Sequence, residues 1–212
     1  YRGIDVRDIV AGFRKDDRFG FEEITYLLLF SELPTKEKLE RFNQTLTEYR
    51  TLPPSFVRDM ILKAPGKDMM NILSRSVLAL YSYDDNADVT TLEDELGKAI
   101  KLIARMPTIM VSAYQVKRRV FDNQSMIMHP VRYEENTAQT ILSLLRPDRE
   151  YTEDEAQLLV RLLMLQAEHG GSFVPSLSKN MWDSSMVTFA NRKLVKILLP
   201  VLNFPLHIKE RV

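Results

Sequence analysis

Apolar and polar positions along this 212-residue chain repeat with a helical period almost throughout. In "TKEKLERFNQTLTEY", Leu39, Phe42, Leu46 and Tyr49 fall on one helix face, with Pro34 before the segment and "LPP" after it. "FEEITYLLLF" is apolar nearly all round after its first turn, which predicts a buried helix. "DMMNILSRSVLALYSY" predicts another, with Ile72, Ser76, Ala79 and Tyr83 along a small-residue stripe suited to close packing. "TLEDELGKAIKLIARM" opens on the capping pattern Thr91-x-x-Asp94 and aligns Leu92, Leu96, Ile100 and Ile103. Pro107 then suits the first position of a separate helix, "PTIMVSAYQVKRRVF".

The pattern continues in "TAQTILSLL", which stops at the turn "RPD". A capping box, Thr152-x-x-Glu155, starts the next helix, which is expected to end on His169 with Gly170 as its left-handed cap. Leu158, Leu162, Leu165 and His169 share one face of it, and the leucines are expected to be buried. The last helix is expected in "WDSSMVTFANRKLVKILL", closed by Pro200. Only "SMIMHPV" suggests an extended stretch. About ten short helices with brief connections predict an all-α globule.

Composition narrows the function classes. Lys+Arg and Asp+Glu both number 29, so the net charge is zero, which argues against a broad nucleic-acid or anionic-membrane footprint. There is no cysteine, hence no disulfide, thiolate zinc site or thiol nucleophile, in keeping with a cytoplasmic location. No apolar run reaches the length of a membrane-spanning helix. The opening "YRGIDVRDIV" lacks a signal layout and an initiator Met, as a processed product or a fragment would.

Glycine-rich phosphate loops, H-E-x-x-H and G-x-S-x-G are absent, and His129, His169 and His207 are far apart, so no metal site is expected. The basic run at residues 117–119 reads as a solvated helix end, and the methionines as core filler. His169 is the sharpest feature. A helix C-terminus favours its protonated form and burial its neutral form. The Gly-Gly turn beyond it allows close backbone approach to a ligand. Spacing alone favours a capped core histidine over a group at the mouth of a site.

Five blocks, in order, resemble the citrate synthase family. "YRGIDVRDI" is similar to its "YRGYDIEDL"-type opening, and "FEEITYLLLFSELPTKEKLERF" to its "fEEvayLLLfGeLPtkeEL" segment, with Ser31 where Gly is usual. "AIKLIARMPTIMVSAYQ", "TAQTILSLLRPDREYTEDEAQLL" and "LMLQAEHGG" resemble its "LIAk-PTI", "LRPd" and "LvLHAEHGG" stretches. The resemblance spans residues 1 to about 171. It implies an all-α large domain (1–168), an incomplete small domain starting at 169, a homodimer, and a cleft between the domains for acetyl-CoA and oxaloacetate. It also implies no permanently bound cofactor, with acetyl-CoA as a substrate and propionyl-CoA in the methylcitrate variant. His169 matches the histidine that donates to the thioester oxygen during enolisation, and "PLH" at 205–207 would make His207 the group that polarises the ketone.

Departures from the pattern limit what the chain is expected to do alone. Gln166 replaces the first histidine of the "HAEHGG" block, and "SFVPSLSKNMWDSSM" stands where "GNNSTF" is usual. No aspartate follows His207 to take the α-proton. The chain by itself is therefore expected to be inactive, and a non-catalytic helical dimerisation or interaction module is the alternative.

Overall fold

The computed structural model describes residues 1–16 and 18–167. These form seven α-helices: α1 (Val6–Lys15), α2 (Phe21–Phe30), α3 (Lys36–Tyr49), α4 (Met69–Leu80), α5 (Leu92–Phe121), α6 (Thr137–Leu145) and α7 (Glu153–Gln166). A π-helical segment, Val57–Leu62, precedes α4, and a single 3₁₀ turn, Tyr81–Tyr83, follows it. No strand occurs among the described residues; "SMIMHPV" is irregular chain.

Side-chain caps set most of the helix starts. Asp5, Thr35, Asp68, Thr91, Asn136 and Thr152 each accept a backbone N–H of the first turn. Asn136 with Gln139, and Thr152 with Glu155, complete reciprocal capping boxes.

The centre of the molecule is α5, which packs against α3, α4, α6 and the π segment. It runs unbroken through Pro107, where a helix boundary was expected. Proline in mid-helix removes the bond to the carbonyl four residues back and opposes helix by about 3 kcal/mol. Here the flanking turns are enclosed: Met106, Ile109, Met110, Ala113 and Val116 are all buried. Burying several such side chains, at roughly 1.5–3 kcal/mol each, outweighs the local penalty.

Packing also revises two expected stripes. On the first half of α5 the buried positions are Glu95, Lys98, Ala99, Leu102, Ala104 and Met106, while Leu92 is exposed and Leu96, Ile100 and Ile103 are half-buried. Lys98 explains part of this shift. Its ammonium donates to the Ala87 and Val89 carbonyls at 2.8 and 2.6 Å, tying the loop before α5 onto that face. On α4, Ile72 and Ser76 are buried within the chain itself, so that stripe is largely spent on internal packing. A smaller cluster of Tyr26, Phe42, Leu46 and Ala104 joins α2, α3 and α5, with the Tyr26 and Phe42 rings edge to face at 5.5 Å.

Candidate functional site

The element that leads to the candidate site is α7. Its start is fixed twice, by the Thr152–Glu155 capping box and by Arg146, whose two terminal nitrogens donate to the two Glu155 oxygens at 2.9 and 2.6 Å. These contacts, with the Arg146 hydrogen bonds first, hold the Glu155 carboxyl below the usual range.

The buried face of α7 is not the one read from leucine spacing. Ala156, Leu159, Val160, Leu163, Met164 and Ala167 form the packed stripe, facing α2 and α6. Leu158 and Leu165 are 59% and 56% exposed, and Leu162 is half-buried. The helix is apolar on both sides, so two stripes compete; the one that fills the i, i+3, i+4, i+7, i+8, i+11 positions completely goes inward. His169 and His207 lie outside the described residues, as do the expected helix end at His169–Gly170, the 169–212 domain and the last expected helix.

The N-terminal stretch braces the far end of α7. The Tyr1 hydroxyl donates to the Met164 carbonyl, and Arg2 Nη2 donates to the Leu28 carbonyl at 2.7 Å, one turn from the end of α2. Both tie the N-terminal stretch to carbonyls in the last described turns of α7 and α2.

Sequence reasoning did not identify the main buried ionic network. Arg50, the residue that ends α3, is only 2% exposed; Nη1 donates to the Glu135 carbonyl, and its own carbonyl accepts from Thr108 Oγ1 at 3.0 Å. Burial lowers its pKa, while Glu22 and Glu135 favour the charged form. Glu22 Oε1 accepts from the Thr137 N–H at 2.8 Å, capping α6 from another helix. Glu135 accepts from the Ser143 hydroxyl and from Arg132 Nη1 at 3.3 Å. The available signal was a carboxylate, Glu22, set at the head of an apolar helix: such a group needs a partner once buried.

Beside this network lies an open cleft of about 380 Å³ between α3 and the chain leading into α6. Among the described residues that line it, Glu22, Glu48, Glu134 and Glu135 face the cleft with Arg50 as the one cation. His129 is engaged with the chain itself, its Nε2 lying 3.0 Å from the Arg146 carbonyl. Among the described residues no group of three or more His, Cys, Asp or Glu could hold a metal ion. None of their helices is long and apolar enough to cross a membrane.

Comparison with known proteins decides the family. A model described as "Citrate synthase, C-terminal domain" matches residues 1–185. The chain belongs to the citrate synthase family. It is 31% identical over 170 residues to a citrate synthase of Saccharolobus solfataricus, covering 80% of this chain and 41% of the relative. It is 32% identical over 120 residues to 2-methylcitrate synthase 1 of Corynebacterium glutamicum, covering 56% of this chain and 29% of that one. In fold it is similar to the citrate synthase of Thermoplasma acidophilum, solved as a ternary complex with carboxymethyl coenzyme A and oxaloacetate. The TM-score is 0.68 at 23% identity, over 92% of this chain and 49% of that one. The chain thus spans less than half the length of these citrate synthase family members, and its all-helical architecture is that of the family.

Proposed function

We propose that this chain carries the helical large-domain framework and the enolising histidine, His169, of an acyltransferase that condenses acetyl-CoA with oxaloacetate to citrate. The observation that carries the reading is the family match, which runs through α7 and the "EHGG" stretch after it. In the reaction, a base takes the acetyl α-proton while His169 donates to the thioester oxygen. The enol carbon then attacks the ketone of oxaloacetate, whose oxygen gains a proton, and hydrolysis releases citrate and the CoA thiol. His207 is the proposed ketone-polarising group. Oriented donors at a developing enolate oxygen are worth several kcal/mol, roughly 2.7–4 for one donor. No resident cofactor is proposed; acetyl-CoA enters as substrate, and the match to a 2-methylcitrate synthase supports propionyl-CoA as the alternative.

A hybrid tests the framework. Residues 1–171 of this chain replace the aligned segment of the Saccharolobus solfataricus enzyme, and thiol release is followed with acetyl-CoA or propionyl-CoA and oxaloacetate. The expected result is turnover that falls by roughly 10²–10⁴-fold in His169→Ala. A folded hybrid with no turnover rejects the proposal. The 212 residues alone are expected to stay far below about 1 per second, because no aspartate follows His207.

The second reading, a non-catalytic helical module, is favoured by Gln166, which stands where the family's block has a histidine. Both readings include a homodimer. Within residues 68–121, Ser76 and most of "PTIMVSAY" are already buried inside the chain. The surface left for a partner copy there centres on Leu78 and Leu92, 60% and 66% exposed, with Tyr81 beside the end of α4.

A further inference from the structure

The cleft between α3 and the chain leading into α6 holds about 380 Å³, within the roughly 300–1,000 Å³ of small-molecule sites. Its carboxylates are of two kinds. Glu22 and Glu135 are buried and already engaged, Glu22 with the Thr137 N–H and Glu135 with Ser143 and Arg132. Glu48 and Glu134 are exposed, and neither has a partner among the described residues. We propose that this cleft binds a basic α-amino acid such as arginine, its side-chain cation held by Glu48 and Glu134 and its carboxylate by Arg50. None of these groups takes part in the proposed condensation.

Three features point to this ligand. First, Glu48 lies in the last turn of α3, at the negative end of the helix dipole, and that turn has no basic residue. A cation bound there offsets charge that the chain leaves uncompensated. Second, Tyr133 is exposed, precedes Glu134 and borders the same cleft. An aromatic face beside carboxylates suits a planar guanidinium. Third, Arg50 supplies the opposite charge. It is only 2% exposed, yet of its side-chain nitrogens Nη1 alone donates within the chain; Nε and Nη2 have no acceptor among the described residues. A buried guanidinium with unused donors favours an anionic oxygen on the cleft side. The amide oxygens of Asn43 and Gln44, also in the lining, are acceptors for an α-ammonium. The lining thus sets four carboxylates against one guanidinium, and a basic amino acid brings two cations and one carboxylate, the complementary pattern.

The test is isothermal titration calorimetry on the full chain at low salt, with L-arginine, L-citrulline and agmatine. Arginine is expected to bind with a Kd of about 1 mM or tighter. Citrulline replaces the guanidinium by a neutral urea of nearly the same shape, and agmatine lacks the carboxylate. Each is expected to bind at least roughly tenfold more weakly, the effect of losing a hydrogen bond between charged groups. In Glu48→Gln/Glu134→Gln the affinity for arginine is expected to fall by a similar factor. Helicity and the thermal midpoint are expected to stay unchanged, since both side chains are exposed. If that variant melts lower, the three ligands on the unmodified chain decide alone. No binding of arginine at ~10 mM, binding of citrulline or agmatine as tight as that of arginine, or full affinity in the folded variant would each overturn the proposal.

Discussion

Ser31 ends α2 with φ 62° and ψ 15°, a left-handed conformation that costs a residue with a Cβ about 1–2 kcal/mol. The matching segment of the resembled family carries glycine at this position, and the torsion angles supply the reason. Ser31→Gly is therefore expected to stabilise the fold by about 1 kcal/mol, seen as a higher urea midpoint at unchanged slope. Arg50 is the opposite case, a residue whose worth lies in what it neutralises. Arg50→Met keeps much of the buried volume but loses the hydrogen bond to the Glu135 carbonyl and the charge that Glu22 favours, while Arg132 still pairs with Glu135. The expected loss is about 1.5–3 kcal/mol in equilibrium unfolding. Nothing in the periodicity near "TEYRTLPP" marked Arg50 as buried, because its partners come from α2 and from the chain before α6.

Helices were legible where local signals agreed. The starts of α3, α5 and α7 were marked by Pro34, by Thr91-x-x-Asp94 and by Thr152-x-x-Glu155. Failures came where tertiary packing overrode a local rule. Pro107 reads as a helix start, yet its neighbours on both sides are buried in a helix packed against α3, α4, α6 and the π segment. Two apolar stripes on α7 read alike, and only the contacts with α2 and α6 choose between them. The Arg146–Glu155 pair, which anchors α7, has a pH signature of definite sign. Glu155 has a lowered pKa in the folded chain, so its contribution is complete above the unfolded value of about 4.3 and is lost as pH falls through the lowered folded value. Glu155→Gln is thus expected to cost about 1 kcal/mol or less at pH 7, the pair being partly exposed. The gap to the parent chain should narrow as pH falls below the unfolded value and close once pH has passed the lowered folded one, as followed by thermal melts.

For the whole molecule, the family and the all-helical class were legible in five ordered blocks, whereas the proposed catalytic groups, His169 and His207, fall outside the described residues. The described part is the framework that leads to them, and its ionic network was hidden because it joins residues 115 positions apart, as in Glu22 with Thr137. The proposed homodimer is open to light scattering at about tens of micromolar, where a standard interface would be filled. An average of two chains is expected, shifting toward one in Leu78→Glu/Leu92→Glu; a single-chain mass for the parent sequence rejects it.

The contact between the Tyr1 hydroxyl and the Met164 carbonyl spans 163 positions of sequence. On a ribosome adding about 5–20 residues per second, Tyr1 waits roughly ten to thirty seconds for that acceptor to be made. Over the same interval the side of α2 that meets α7 stays uncovered. Synthesis thus leaves a window in which apolar surface of the nascent chain is open to chaperones. The window closes only when α7 emerges, so slow codons ahead of position 153 would prolong it.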